Sequence, residues 1–169
     1  MAHRLTTALA GLALLAAAGC TVSYSLSGGS VPATAKTLSV AGLEARAPLC
    51  PPQSAQSVTE ALRDLLQAQT PLNLVPRDGD IAYEGAVTGY DVQPVAIQAN
   101  ETAALNRLTI TLGIRYTNKA DSKANAEFTV SRFADYPSTQ DLSTVEASLV
   151  QDIAKQLAQD IFDRTLGNW

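Results

Sequence analysis

Hydrophobic residues alternate with polar ones along several stretches of the chain, and this pattern predicts β-strands. The clearest stretch runs from Leu108 to Tyr116, where every second residue is apolar. A strict period of two gives a strand one dry face and one wet face. Weaker or shorter alternation predicts further strands within residues 22–26, 36–43, 72–75, 81–92 and 127–133.

The stretch that begins at Ile81 carries two signals that interrupt a regular strand. Its apolar positions change parity at Gly89, and a glycine at such a change predicts a β-bulge. Pro94 has no N–H group for the ladder, so we expect the next residues to be edge strand or loop. Before this stretch, Asp78-Gly79 predicts a turn, because the remaining spacing does not complete a calcium loop.

Two segments space their apolar residues at 3.6-residue intervals, which predicts amphipathic helices. The pairs Ser57/Glu60 and Ser143/Glu146 have the spacing of capping boxes at the two helix starts, and residues 54–56 could add one turn to the first. Thr70-Pro71 ends the first helix, and Gly167 ends the second.

The order of elements is therefore strand, helix, four strands and helix. Short turns between successive strands argue for antiparallel hairpins, and two one-sided helices must cover the single dry face. We predict an α+β fold, a two-layer sandwich of a mostly antiparallel four- to five-stranded sheet with two helices packed on one face. No internal repeat is visible.

The beginning of the chain has the features of a targeting segment. A polar start is followed by an apolar run over Leu5–Ala18, which is short for a membrane span. The run ends at Ala17-Ala18-Gly19-Cys20, which resembles the bacterial lipobox, although the lipobox usually has Leu where Ala17 stands. The alternative is an ordinary signal peptide with a chance cysteine.

This interpretation divides the chain into three parts. Residues 1–19 are predicted to be a lipoprotein signal peptide, residues 20–35 a lipidated lead, and residues 36–169 the folded domain. Cys20 is the predicted lipidation site, carrying acyl chains such as palmitate. Two or more acyl chains are needed for stable anchoring.

Composition excludes one class of partner and one class of chemistry. The sequence pI is about 4.9 and no basic block occurs, so nucleic-acid binding is not expected. Removal of residues 1–19 takes away Arg4 and the chain's single His, which changes the formal net charge from −4 to −5. Without His, the remaining chain cannot form a Ser-His or Cys-His pair.

We therefore predict that the protein is not an enzyme and needs no metal or cofactor. A hydrolase that uses carboxylates alone remains a minor alternative, but Asp160 and Asp163 fit a solvated helix face better. Cys50, flanked by prolines, is either a reactive thiol or a small buried side chain, and the second interpretation is favoured.

Several short motifs occur in a fixed order along the chain. The segment Pro94–Thr111 is long for a hairpin connection and carries polar residues between two strands. It is joined by Gly19-Cys20 with Tyr24-Ser25, residues 32–37, residues 59–62, residues 160–162 and Asn168-Trp169. In this arrangement the chain resembles the LptE family of lipopolysaccharide-assembly outer-membrane lipoproteins, of the type found in Bacteroidetes.

The resemblance implies a partner role without covalent chemistry. LptE-like proteins bind as a plug or partner of the LptD-type outer-membrane β-barrel and help to deliver lipopolysaccharide. The expected location is the outer membrane, lipid-anchored and facing the periplasm. The alternative is an envelope lipoprotein that binds lipid or glycan without a barrel, which would need an apolar cleft between helices and sheet.

A barrel partner needs a polar sheet face, such as Thr109, Thr111 and Arg115, and a protruding loop such as residues 98–107. Lipopolysaccharide phosphates would be bound by Arg or Lys. We expect the basic residues flanking one hairpin to cluster at one end of the sheet, the alternative for each being an ordinary solubilising charge. The candidate contact residues are Asn100, Glu101, Arg107, Arg115, Lys119, Lys123 and Arg132.

Overall fold

The computed structural model describes residues 31–32, 34–95 and 105–167. The strand predicted within residues 22–26 lies outside these ranges. Within them the strands are β1 (Thr37–Val40), β2 (Glu44–Ala45), β3 (Asn73–Leu74), β4 (Ile81–Val95), β5 (Leu105–Asn118) and β6 (Ala126–Pro137). The helices are α1 (Pro52–Gln69) and α2 (Leu142–Thr165), and a short 3-10 turn spans Ser122–Ala124.

The strands form one mixed sheet in the order β3-β1-β4-β5-β6, with β2 also paired to β4. The three long strands β4, β5 and β6 are antiparallel neighbours. The short strands β1 and β2 run parallel to β4, and β3 runs parallel to β1. The predicted α+β sandwich is confirmed, but hairpins do not account for the short strands, because a parallel pair needs a crossover such as α1.

Long strand β4 confirms one prediction and corrects another. Its register with β5 shifts between Val87 and Gly89, which is the predicted bulge. The expected disruption of the ladder at Pro94 does not occur, since Pro94 pairs with Asn106 and Val95 with Leu105, but the expectation of edge strand is confirmed for Val95. At this end β4 has one paired neighbour among the described residues, and a strand with a free edge tolerates proline.

Both helices occur, but neither uses its predicted capping box. Helix α1 begins at Pro52, where proline has the φ angle of a first helical residue, and the Ser57 hydroxyl donates to the Gln53 carbonyl (3.0 Å). Helix α2 begins at Leu142, and the carboxylate of Glu146 accepts a hydrogen bond from the Tyr90 hydroxyl. The N-cap positions are occupied by Pro51 and Asp141, so Ser57 and Ser143 lie inside the helices and cannot cap them.

The core lies between the two helices and one face of the sheet. Its fully buried side chains include Leu38, Leu62, Ile110, Leu157 and Ile161. Complete burial of such a side chain contributes about 1.5–3 kcal/mol. Polar links join the layers as well, since the Tyr83 hydroxyl and the Thr165 hydroxyl lie 2.7 Å apart. The described part of the chain contains no helix with the length and apolarity needed to span a membrane.

Candidate functional site: the open face of the sheet

One face of the β4-β5-β6 sheet carries polar side chains and lies opposite the helix-covered core. The register aligns its side chains in rows across the three strands, namely Glu84–Arg115–Glu127, Ala86–Gly113–Thr129, Gly89–Thr111–Ser131, Asp91–Thr109–Phe133 and Gln93–Arg107–Asp135. Apart from Ala86, these residues are exposed or half-buried. We call this surface, together with the adjoining Glu44 and Arg46, the open face.

At one end of the open face, Arg107 is held by two neighbours on β6. Its Nε and Nη2 donate to the carboxylate oxygens of Asp135 at 2.7 and 2.9 Å. Its guanidinium also lies 3.6 Å from the ring centre of Phe133, whose side chain is 47% exposed. The hydrogen bonds from Arg107 lower the pKa of Asp135 below its usual value. This arginine is therefore fixed in orientation by one charge and one aromatic surface.

Towards the other end, Arg115 lies between two carboxylates. Its Nε donates to Glu127 at 2.5 Å, while Glu84 occupies the opposite position on β4. Hydrogen bonding and charge at Glu127 raise the pKa of the Arg115 guanidinium. Arg115 thus makes a direct pair with only one of the two acids that flank it.

Beside this row the open face is concave. The concavity has a volume of about 640 Å³, and Gly85 and Gly113 are among the residues that line it. A Cβ atom added at Gly113 would meet only the Thr88 methyl group, at 3.5 Å. One wall carries the ion pair between Arg46 Nε and Glu44 (2.9 Å). The concavity is therefore lined by charged groups as well as by small residues such as Gly113.

The predicted basic residues do not gather at one end of the sheet. Arg107 and Lys119 are twelve positions apart on one chain segment, which corresponds to about 40 Å along an extended strand. The Lys119 ammonium donates to the Asp78 carbonyl (2.7 Å), and Lys123 lies exposed in the adjacent 3-10 turn. The expectation of one basic cluster is wrong, because β5 is long enough to separate its two ends.

Arg132 lies on the other face from Arg107 and Arg115. It pairs with Ile110, a core residue of β5, and its guanidinium donates to Asp160 of α2 at 2.6 and 2.5 Å. Asp160 therefore joins the helix to the sheet and is not simply a solvated acid. Three of the predicted residues, Cys20, Asn100 and Glu101, lie outside the described residues.

Sequence reasoning did not identify the acidic partners of these arginines. Asp135 and Glu127 are 28 and 12 residues away from Arg107 and Arg115. Only the pairing register of β5 and β6 brings them together, and opposite charges at facing positions would have been the available signal.

Reactive or metal-binding groups add little to this picture. Cys50 is a buried free cysteine, and burial raises the pKa of its thiol, which fits the small-side-chain interpretation. Across the described ranges no three His, Cys, Asp or Glu side chains are grouped so that they could hold a metal ion. The distinctive feature of the domain is therefore the open face.

A two-layer α+β domain with a polar, ion-paired sheet face is suited to binding another macromolecule. The family model described as "LptE: Lipopolysaccharide-assembly" matches residues 35–165, and the chain belongs to this family. It is accordingly a non-enzymatic lipoprotein of lipopolysaccharide assembly, as predicted from the sequence. This membership points to the outer membrane as its location.

Solved structures of other lipoproteins share the fold. A minor lipoprotein from Acinetobacter baumannii is 19% identical, with a TM-score of 0.50 over 76% of this chain and 91% of that one. Rare lipoprotein B from Shewanella oneidensis is 14% identical, with a TM-score of 0.50 over 75% and 90%. Lipoprotein B from Nitrosomonas europaea is 13% identical, with a TM-score of 0.51 over 83% and 88%. No protein with a curated description matches the sequence.

Proposed function

We propose that this protein is the lipoprotein partner of an LptD-type outer-membrane β-barrel. In this proposal Cys20 carries the acyl chains, the domain faces the periplasm, and the open face binds the barrel interior during lipopolysaccharide delivery. The observation that supports it is the open face itself, three long strands wide and polar along its length. Barrel interiors are also polar, so the two surfaces are compatible.

The shape of the long hairpin supports the same role. At the far end of β4, Val92 is 41% exposed although its register partner Leu108 is fully buried. Strand β4 continues to Val95, beyond this transition. The core-side face of β4 is therefore partly exposed at this end, as expected for an element that contacts a partner.

The barrel-independent alternative receives less support. A lipid-binding domain of this type would need an apolar cleft between helices and sheet. In the described structure that space contains fully buried side chains from all layers, such as Leu38, Leu62 and Leu157. Lipid binding by the isolated domain would therefore require the core to open.

Photocrosslinking of the full-length lipidated protein tests the barrel partnership. A photoreactive amino acid at Thr111, in the centre of the open face, is expected to crosslink to an outer-membrane barrel. The same group at Asp64, exposed on α1, is the control and should give much less of that product. If the protein is isolated from outer membranes without any barrel, either crosslinked or bound, the proposal is wrong.

The anchor is tested separately by the Cys20→Ala variant. We expect this variant to leave the membrane fraction, because the acyl chains supply the attachment. Mass spectrometry of the wild-type N-terminus should show a processed, acylated cysteine. Membrane attachment of Cys20→Ala that survives alkaline washing would contradict lipidation at this residue.

Lipopolysaccharide contact is proposed for the basic and polar residues predicted from the sequence. Lys119 and Lys123 lie at one end of the sheet and Arg107 at the other, so each end is tested by itself. Alanine substitutions at a contact end should weaken lipopolysaccharide binding by the purified complex. Lys155→Ala, on the exposed surface of α2, is the matched control. Equal binding by all variants would exclude both ends.

A further inference from the structure

The open face carries more acidic than basic side chains, and the unpaired acidic ones lie on β4. Among its described residues the basic groups are Arg46, Arg107 and Arg115, and each donates to a carboxylate of the same face. Two acidic side chains, Glu84 and Asp91, are left over and lie on β4. The open face therefore carries two negative charges more than it can neutralise from its own described residues.

Both surplus carboxylates are available for binding. Glu84 and Asp91 are exposed, and neither forms an ion pair within the described part of the chain. Glu84 influences Arg115 by charge, but the direct hydrogen bond of that arginine goes to Glu127. Glu84 also lines the concavity, together with the paired residues Glu44, Arg46, Arg115 and Glu127. Because the other charged groups of this lining are paired with each other, Glu84 is the carboxylate there that a cationic group of a partner can pair with.

We infer that the open face binds an extended, basic segment of the partner protein, with Arg or Lys side chains placed against Glu84 and Asp91. This inference rests on the proposed function and names the chemistry of the partner at the same surface. Complementary charge across an interface sets orientation and excludes wrong partners. A protein cation fits better than a lipopolysaccharide phosphate, because surplus carboxylates repel phosphate.

A bound divalent cation is the other chemistry that carboxylates could serve. No set of three suitable ligand side chains occurs in the described residues, and Glu84 and Asp91 are separated by seven positions along β4. This separation corresponds to about 20 Å of strand, which is too far for one ion but matches two side chains about six residues apart on one face of an extended segment.

The test uses the full-length lipidated protein and its barrel, isolated together from membranes. The variant Glu84→Lys/Asp91→Lys reverses both surplus charges, and Glu60→Lys/Asp64→Lys makes the same change on exposed α1 as the matched control. We expect the first variant to recover about tenfold less barrel than wild type, because like charges then face each other. The control should recover as much barrel as wild type.

Salt and chelator distinguish the occupants. Wild-type capture should weaken as NaCl rises from about 0.1 to 1 M, where the screening length falls from about 10 to 3 Å. The neutral variant Glu84→Gln/Asp91→Asn should capture less barrel than wild type and lose most of this salt dependence. Loss of wild-type capture in EDTA would assign the site to a bridging cation and overturn the inference.

Failure of the inference differs from failure of the proposed function. If wild type and the charge-reversed variant capture the barrel equally, the basic-segment inference is wrong and the barrel partnership stands. If wild type captures no barrel, both are wrong. Thermal unfolding of each variant shows whether it is folded, and the neutral variant provides the decisive comparison if charge reversal prevents folding.

Discussion

Arg164, in the last turn of α2, donates a hydrogen bond to the backbone carbonyl of Thr129 on β6 (3.1 Å). Strand β6 is the last in the sheet order and pairs only with β5 among the described residues. An unpaired strand edge is a template for pairing with another chain. The hydrogen bond from Arg164 uses a carbonyl group of β6 that would otherwise be available for such pairing. The Arg164 guanidinium also lies 5.6 Å from the Phe128 ring centre.

Removal of this side chain should expose the β6 edge. We expect Arg164→Ala to associate with itself more strongly than wild type as protein concentration rises, measured by sedimentation velocity. Arg63→Ala is the control, since it removes an arginine of α1 whose hydrogen bond goes to the Val40 carbonyl of β1. An Arg164→Ala protein that sediments like wild type at every concentration would show that other features protect the edge.

Gly85 on β4 and Gly113 on β5 are close neighbours in the sheet, but alanine should change the stability of the protein differently at the two positions. A Cβ at Gly85 would collide with the Gly113 carbonyl and the Ile114 side chain, whereas a Cβ at Gly113 meets only an ordinary contact at 3.5 Å. We expect Gly85→Ala to lower the free energy of unfolding by about 1–3 kcal/mol, as overpacking does. Gly113→Ala should unfold in urea at nearly the wild-type midpoint. Equal losses in the two variants would contradict this geometry.

Asp80 connects the start of β4 to the start of β1, and it should make the stability of the protein depend on pH. Its carboxylate accepts hydrogen bonds from the backbone N–H of Lys36 (2.9 Å) and from the N–H and hydroxyl of Thr37 (3.0 and 2.9 Å). These bonds, that from Lys36 first, lower the pKa of Asp80. A carboxyl group whose pKa is lower in the folded protein than in the unfolded chain stabilises the folded protein at pH values above the unfolded pKa. This stabilisation is lost as the pH falls through the pKa of the folded state.

We therefore expect Asp80→Asn to have a lower melting temperature than wild type at neutral pH. The difference should begin to narrow at about pH 4, where the carboxyl group of the unfolded chain takes up a proton, and should be lost below the lower pKa of the folded state. Thermal unfolding followed by circular dichroism over a pH series measures this. Asp152→Asn, at an exposed ion pair on α2, is the control and should change the pH profile less. A constant difference between Asp80→Asn and wild type at all pH values would exclude the mechanism.

Tyr90 and Glu146 link the sheet to the second turn of α2. Tyr90 is 5% exposed and donates its hydroxyl hydrogen to the Glu146 carboxylate, while burial raises the pKa of the phenol. Hydrogen bonds to charged groups contribute about 1.5–3 kcal/mol, so Tyr90→Phe should destabilise the domain by up to this amount in urea unfolding. Tyr136→Phe, which removes the hydroxyl group of a buried tyrosine of β6, is the control and should reduce the stability less than Tyr90→Phe.

A double-mutant cycle with Glu146→Gln checks that the loss arises from this pair. Combining the two substitutions should cost less than the sum of the single effects. Additive effects would mean that each side chain acts through other neighbours.

How far the sequence predicts the fold is shown by β4. The apolar parity along it located the bulge at Gly89, because burial on one face forces a period of two on the residues. The same pattern contains no information about which strand lies alongside, so the parallel pairing of β1 with β4 was not predicted. Pairing depends on chain crossover through α1, which is a property of the whole domain.

The candidate site illustrates the same limit. Arg107 was selected for its charge, but its partner Asp135 becomes its neighbour only through the β5–β6 register. The Ser57/Glu60 spacing was likewise ambiguous, because residues at positions i and i+3 are neighbours inside a helix as well as at its start. Local patterns therefore predicted the helices, strands and charged positions. The partners of the charged residues could not be predicted, because they depend on the tertiary structure.

Strand β1 has a consequence for the order in which the chain becomes structured. Its hydrogen-bonding partner Asp80 lies 43 residues after Thr37, and its strand neighbours β3 and β4 also come later in the chain. A chain exported from its N-terminus delivers β1 before any of them. Strand β1 thus cannot complete its pairing until β4 has been exported, so the strand nearest in sequence to the proposed lipidation site is among the last parts of the sheet to close.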